Sequence, residues 1–225
     1  MSESLTQSVV FEERRAGNGA RAGVACLNVE KSLNSLSLEM IDLLFERLSA
    51  WAADPGIAFV VLEAAGEKAF CAGADLHSLY RTMVEQHASA RRDDIRGNAY
   101  ALAFFSREYR LDYLIHAYPK PVLCWGHGIV MGGGLGLMAG ASHRVVTEHS
   151  RVGMPEITIG LYPDVGGTWL LNRAPGHSGL FLALTGAQLN AADALFARFA
   201  RLPGRTRRQI QGHAKPHAAT MDCGR

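Results

Sequence analysis

Glu156 and Asp164 lie eight positions apart in MPEITIGLYPDVGGTW, residues 154–169, a stretch otherwise rich in apolar residues, glycines and prolines. Carboxylates normally face water, because desolvating an unpaired charge is expensive. Two acids on either side of a Pro-bounded bend in such surroundings suggest work for a carboxylate as general base, general acid or nucleophile. The plainer roles are a turn cap for Glu156 and a turn-stabilising aspartate for Asp164, which follows Pro163 and precedes Gly166-Gly167.

Two glycine-containing bends precede helical stretches, one at Gly73-Ala74 and one at Gly132-Gly133-Gly134. Glycine lets a ligand approach the backbone, and a helix N-terminus offers unpaired N–H groups with a partial positive charge. Two such amides aimed at one point would stabilise the oxygen of a carbonyl turning into an enolate or a tetrahedral intermediate. Close packing of helix on sheet would demand the same glycines, and spacing alone does not separate the two uses.

Other chemistries find less support. GLGLMA, residues 134–139, formally fits a dinucleotide fingerprint, with Glu156 lying 20 residues after Gly136. That fingerprint follows its strand directly, whereas eight residues separate VLCW (122–125) from Gly134. GHSGL, residues 176–180, misses the nucleophile elbow by one position. The nine histidines include no H-E-x-x-H pair, and Cys26, Cys71, Cys124 and Cys223 lack zinc spacing. No metal site is expected, and the cysteines read as free thiols.

These residues need a scaffold, and the hydrophobic pattern supplies an α/β one. Residues 8–13 and 22–29 read as strands joined by the AGNG turn. Ser37 can cap a helix over 38–53, in which Leu38, Ile41, Leu44, Phe45, Leu48 and Trp51 recur at helical spacing until Asp54-Pro55-Gly56 ends it. A strand follows over 57–64, then a polar helix from Leu76 to about Asp94 and an amphipathic one over 100–117, closed by Pro119-Lys120-Pro121. Strands over 122–125 and 143–148, an extended piece over 150–154 and a helix over 131–141 lead to short helices ending near Phe199. The alternation of strand and helix gives the fold class.

With 48% apolar residues, 20% charged and a net charge of +2, the composition is that of a globular domain and gives no case for nucleic acid or an anionic membrane. The uncharged run 122–141 is long enough to span a bilayer, but its seven glycines and His127 favour a buried strand–turn–helix. MSESLTQSVVFEERR has acids and no apolar run, so no secretory signal and a cytoplasmic location are expected. Residues 201–225 carry six Lys/Arg against one acid, and the periodicity stops there. The reading is a domain over 1–199 and a basic tail over 200–225, either disordered or the product of a cut or frame-shifted chain.

AFCAGADL, MGGGLGLMAGA and MPEITIGLYPDVGGTWLLNRAPG, in this order and spacing, resemble the crotonase (enoyl-CoA hydratase/isomerase) superfamily from about Val9 to Phe199. The match is closest to its 3-hydroxyisobutyryl-CoA hydrolase branch. The resemblance implies a crotonase-like (ClpP/crotonase) spiral of ββα units and an acyl-CoA substrate, with coenzyme A as part of that substrate and no separate cofactor. A homo-oligomer is a family option. It further implies hydrolysis of 3-hydroxyisobutyryl-CoA in valine breakdown.

Carried over residue by residue, the backbone N–H groups of Ala74 and Gly133 become the oxyanion hole. Glu156 becomes the catalytic carboxylate, as base for a water or as nucleophile. Asp164 orients that water or assists proton transfer, Glu108 of FFSREYRLDY holds the acyl 3-hydroxyl, and Ala72, Asp75 and Leu76 bind substrate. The family's hydratases have a glutamate three residues after the oxyanion glycine, and here that position is Gly136. Adding water across a double bond needs two acids on one substrate face, so direct hydration is not expected. In the family the chain continues into helices that cover the site. Nothing after Phe199 resembles them, so the alternatives are a hydratase or isomerase of this family acting on another acyl-CoA with other acids, or an inactive CoA-binding fragment.

Overall fold

The computed structural model describes residues 7–205 apart from Ala16 and Asn18, and the expected tail from residue 206 onward lies outside the described residues. The strands are β1 (Val9–Arg15), β2 (Arg21–Leu27), β3 (Ile57–Ala64), β4 (Ala69–Cys71), β5 (Val122–Gly126), β6 (Ile129–Met131), β7 (His143–Val146), β8 (Arg151–Gly153) and β9 (Leu202–Pro203). The helices are α1 (Leu38–Ala53), α2 (Leu76–His87), α3 (Ala99–His116), α4 (Gly133–Gly140), α5 (Gly167–Leu171), α6 (Ser178–Thr185) and α7 (Ala191–Phe196).

β3, β5 and β7 join a six-stranded sheet of order β1-β2-β3-β5-β7-β9, while β4, β6 and β8 form a three-stranded sheet in that order. Each strand pair thus gives one strand to each sheet and advances one position, which is the expected spiral of ββα units. All pairings from β2 onward are parallel. Parallel strands are covered on both faces and need near-continuous apolar runs. β2 is buried from Ala22 to Leu27 and β3 from Val60 to Ala64.

α1 has the bounds its sequence predicts. Ser37 accepts from Met40 N at 3.2 Å, and Met40, Ile41, Leu44, Leu48 and Trp51 form the buried stripe. Near its end Tyr118 Oη donates to Leu48 O at 2.6 Å, Lys120 Nζ donates to Trp51 O at 2.6 Å, and Asp54 N donates to Ala50 O at 3.1 Å. α2 stops at His87, short of the expected Asp94. Asp94 instead accepts from Arg96 N at 2.9 Å and pairs with Arg91 at 2.7 Å, local bonds that compete with the helix.

The boundary expected at Phe199 moves outward. Arg201 N donates to Arg144 O at 2.9 Å and Gly204 N to Val146 O at 2.7 Å, adding β9 to the open edge of β7. Pro203 is tolerated there because an edge strand leaves one row of donors unused. Cys71 and Cys124 are free and buried, whereas Cys26 is disulfide-bonded, which corrects the reading of free thiols throughout. Among the described residues no helix is long and apolar enough to cross a membrane, and no group of three or more His, Cys, Asp or Glu could hold a metal ion.

Candidate active site

The loop after β4 is pinned from behind by Leu36. Leu36 N donates to Gly73 O at 2.8 Å, and Asp75 N donates to Leu36 O at 2.9 Å. These bonds flank Ala74, so in extended chain the Ala74 N–H must point to the opposite side, where it has no hydrogen-bond acceptor among the described residues. Asn34 fixes the base of this arrangement, with its side chain donating to Ala65 O at 3.0 Å and Ala69 O at 2.9 Å.

Opposite lies the start of α4. Gly132, at φ 48° and ψ −121°, makes a turn open only to glycine, and its N–H donates to Gly153 O at 3.2 Å. Gly133 opens the helix, so its N–H has no intrahelical acceptor. The two backbones adjoin: a Cβ on Gly133 would stand 3.7 Å from Ala74 N and would meet Glu108 Oε1. A Cβ on Gly132 would stand 2.9 Å from Glu156 Oε1. Two unpaired amides and two carboxylates therefore border one space that glycine keeps empty. Gly134 serves packing instead, for its Cβ would run into the backbone of Cys71 in β4.

All three acids singled out in the sequence are buried, at 1% exposure for Glu108, 6% for Glu156 and 8% for Asp164. Glu156 opens a short 3₁₀ turn, Glu156–Ile159, and its Oε2 has no partner. Burial, reinforced by the nearby Asp164, pushes its carboxyl up to about 7. Glu108 projects from α3 with Oε1 unpaired, and burial together with Asp164 and Glu156 pushes it up to about 8. Burial also raises Asp164, against the pull of the Tyr109 hydroxyl, which donates to Asp164 Oδ2 at 2.7 Å.

The other positions differ. Asp75 caps α2, its carboxylate accepting from Ser78 N at 3.2 Å and Ser78 Oγ at 2.7 Å. Ala72 N is bonded to Leu33 O at 3.1 Å, and the Leu76 side chain is half exposed. The sequence reading missed Asp112 and Tyr109. Asp112 follows Glu108 by one turn of α3, is 8% exposed, and has both carboxylate oxygens unpaired. Burial, then Glu108 and Asp164, holds it well above the usual carboxylate range.

A stability consequence follows from Glu108. Folded, it keeps its proton up to about 8, whereas an unfolded chain releases it near its ordinary value of 4.5. The folded state binds the extra proton in this window, so the contribution of Glu108 to stability falls as pH rises through it. Glu108→Gln abolishes that titration. Its thermal midpoint relative to the parent should be higher at pH 8 than at pH 5 by on the order of 5 °C. Calorimetric scans at the two pH values check this, and an equal offset at both would refute it.

Residues 22–209 match the family model described as Enoyl-CoA hydratase/isomerase. The chain is 42% identical over 193 residues to the mitochondrial 3-hydroxyisobutyryl-CoA hydrolase of Danio rerio, covering 86% of this chain and 46% of that protein. It is 42% identical over 171 residues to the human protein of the same name, covering 76% and 42%. Its structure is similar to that of an enoyl-CoA hydratase from Rhodobacter sphaeroides, with TM-score 0.80 and 37% identity over 96% of this chain and 62% of that one. A carnitinyl-CoA dehydratase from Mycobacterium thermoresistibile gives TM-score 0.80 and 39% identity over 92% and 56%. The chain spans about half the length of the curated relatives it matches. Those relatives are named as mitochondrial, which overturns the expectation of a cytoplasmic protein.

Proposed function

The chain belongs to the enoyl-CoA hydratase/isomerase family, and from that premise we propose that it hydrolyses an acyl-CoA thioester, 3-hydroxyisobutyryl-CoA to 3-hydroxyisobutyrate and CoA. The observation that carries this reading is the space between Gly132, Gly133 and Ala74. Two unpaired amides border it, and Glu156 lies against it with no second acid at Gly136. The second acid of the family's hydratases is missing at Gly136, and a basic carboxylate, Glu156, beside an oxyanion site suits acyl transfer to water. The names of the curated relatives support the same substrate.

In this mechanism the thioester oxygen lies between the N–H groups of Ala74 and Gly133, which stabilise it as the carbonyl carbon becomes tetrahedral. Glu156 acts ionised, either taking a proton from the attacking water or attacking the carbon itself. A carboxyl near 7 is well matched to this work, because it is a far stronger base than an exposed glutamate and is still available at neutral pH. Asp164, held by Tyr109 and near enough to Glu156 to raise its carboxyl, would orient the water or pass a proton toward the departing thiolate. Glu108 keeps its proton at neutral pH and offers a donor to the acyl 3-hydroxyl. Such a buried group rejects acyl chains lacking the hydroxyl, because it is then left unpaired.

A thiol-release assay on matched thioesters tests the reading. The 3-hydroxyisobutyryl thioester should be cleaved on the order of 100-fold faster than isobutyryl-CoA, which lacks the hydroxyl. Crotonyl-CoA should remain unhydrated. Hydration of crotonyl-CoA with no cleavage of the hydroxyacyl thioester would replace hydrolase by hydratase.

A further inference from the structure

Val165 is the wrong residue for the turn it makes. Gly167 N donates to Asp164 O at 2.5 Å, and the two residues inside that turn have positive φ, 41° at Val165 and 80° at Gly166. This is the signature of a type I′ turn, whose first central position suits Asn, Asp or Gly. A β-branched side chain is strained there. The other non-glycine residues with positive φ among the described residues, Leu33, Asn34 and Arg198, are not β-branched. Such strain persists only where the surrounding structure imposes it, and it gathers at working sites. The Val165 side chain is 5% exposed and packs on α4 at Gly136, where a Cβ would stand 2.6 Å from Val165 Cβ. Both atoms would be fixed to backbone, so neither can swing aside and residue 136 has to be glycine.

The strained residue stands between two spaces. α3 and α4 run side by side, with Glu108 beside Gly133, then Asp112 beside Gly136 one turn on, then His116 beside Gly140. The Gly133 amide, proposed to hold the thioester oxygen, is at the first of these levels. A cavity of about 370 Å³, large enough for part of a ligand, occupies the next two, and Asp112, His116, Gly136, Gly140 and Val165 are in its wall. Glu108, Glu156, Ala74 and Gly133 do not line it, while Asp164 does. An acyl chain running on along this helix pair, past a hydroxyl held by Glu108, would meet the Val165 isopropyl group before it reached the cavity.

We propose that Val165 sets the limit on acyl length. Its isopropyl group, held inward by the strained turn, closes the reacting space off from the cavity and selects acyl groups that end near the 3-hydroxyl carbon. The proposal rests on the hydrolase reading of the site. Val165→Gly is the informative change, because glycine is at home at this φ and leaves the passage open.

The test measures kcat/KM for thiol release by the full chain from 3-hydroxypropionyl-CoA and 3-hydroxyhexanoyl-CoA, which differ only by a propyl group on the hydroxyl-bearing carbon. The parent should favour the short thioester on the order of 100-fold, and Val165→Gly should cut that preference about tenfold, chiefly by raising the rate on the long one. If Val165→Gly fails to fold, Val165→Ala, which keeps Cβ and removes both methyl groups, should move the ratio the same way by about threefold. Calorimetric titration with two thioethers that cannot be hydrolysed, S-(3-hydroxypropyl)-CoA and S-(3-hydroxyhexyl)-CoA, separates this proposal from the reading beneath it. If neither thioester is cleaved but the variant gains about tenfold in affinity for the long thioether over the short one, Val165 keeps its role and the hydrolase reading falls. A parent that takes both lengths equally, or a variant whose ratio does not move, would overturn the role of Val165 and leave hydrolysis standing.

Discussion

Glu156→Gln should lower kcat for thioester hydrolysis on the order of 1,000-fold, with KM changed by no more than a few-fold. Glutamine has the shape of glutamate and can fill the same place beside Gly132, so the chamber and the amide pair are preserved. What disappears is the only function the mechanism asks of this side chain in either form, an ionisable oxygen that can take a proton or attack carbon. The parent enzyme should carry the signature of the same group in its pH profile. Glu156 acts as the carboxylate and ionises near 7, so kcat/KM should be present above that value and fall about tenfold for each unit below it. In the Gln variant the residual rate should lose that acid limb. Thiol release measured from pH 5 to 8 reads both effects. A variant keeping more than about a tenth of the parent rate would remove Glu156 from the reaction.

How much of this was legible beforehand varies from element to element. α1 and β3 have the bounds read from the sequence, because each carries its own punctuation: Ser37 and Asp54-Pro55 for the helix, Gly56 and a run of apolar residues for the strand. The extended piece read over 150–154 contains β8, but β6 and the pairing of these short strands into a second sheet were not legible. β4, β6 and β8 have three residues each, too few to show a period, and each pairs with a partner far along the chain. β9 escaped for a related reason, since two residues on an open edge need no pattern of their own.

The acids divide in the same way. Glu156 and Asp164 stood out because their neighbours are apolar. Asp112 did not, yet a signal was present: Phe104, Glu108, Leu111, Asp112 and Ile115 are the buried residues of α3, so both acids occupy the helix's own apolar stripe. A carboxylate at a stripe position is the pattern to look for. Location was not legible at all, because a fold core of β-strands and helices reads alike in every compartment.

Adding one methyl group at Gly133 should cost 10²- to 10³-fold in kcat, about the price of losing an oxyanion donor. No left-handed backbone conformation is required at Gly133, so alanine adds no backbone strain and a good helix former replaces a poor one, while the end of the Glu108 side chain must turn aside for the methyl. The new Cβ would nevertheless stand 3.7 Å from Ala74 N and against Glu108 Oε1, in the space proposed for the thioester oxygen. The lesion is therefore chemical, and the thermal midpoint should move by no more than a few degrees. Gly134→Ala provides the contrast. There the methyl would meet the backbone of Cys71, which cannot swing aside, so the helix must lift from β4 and the thermal midpoint should drop sharply. Measuring kcat and thermal midpoint for both variants separates the two uses of glycine that spacing alone could not. A Gly133→Ala protein that hydrolyses thioester at the parent rate would mean that the amides of residues 74 and 133 do not hold the reacting oxygen.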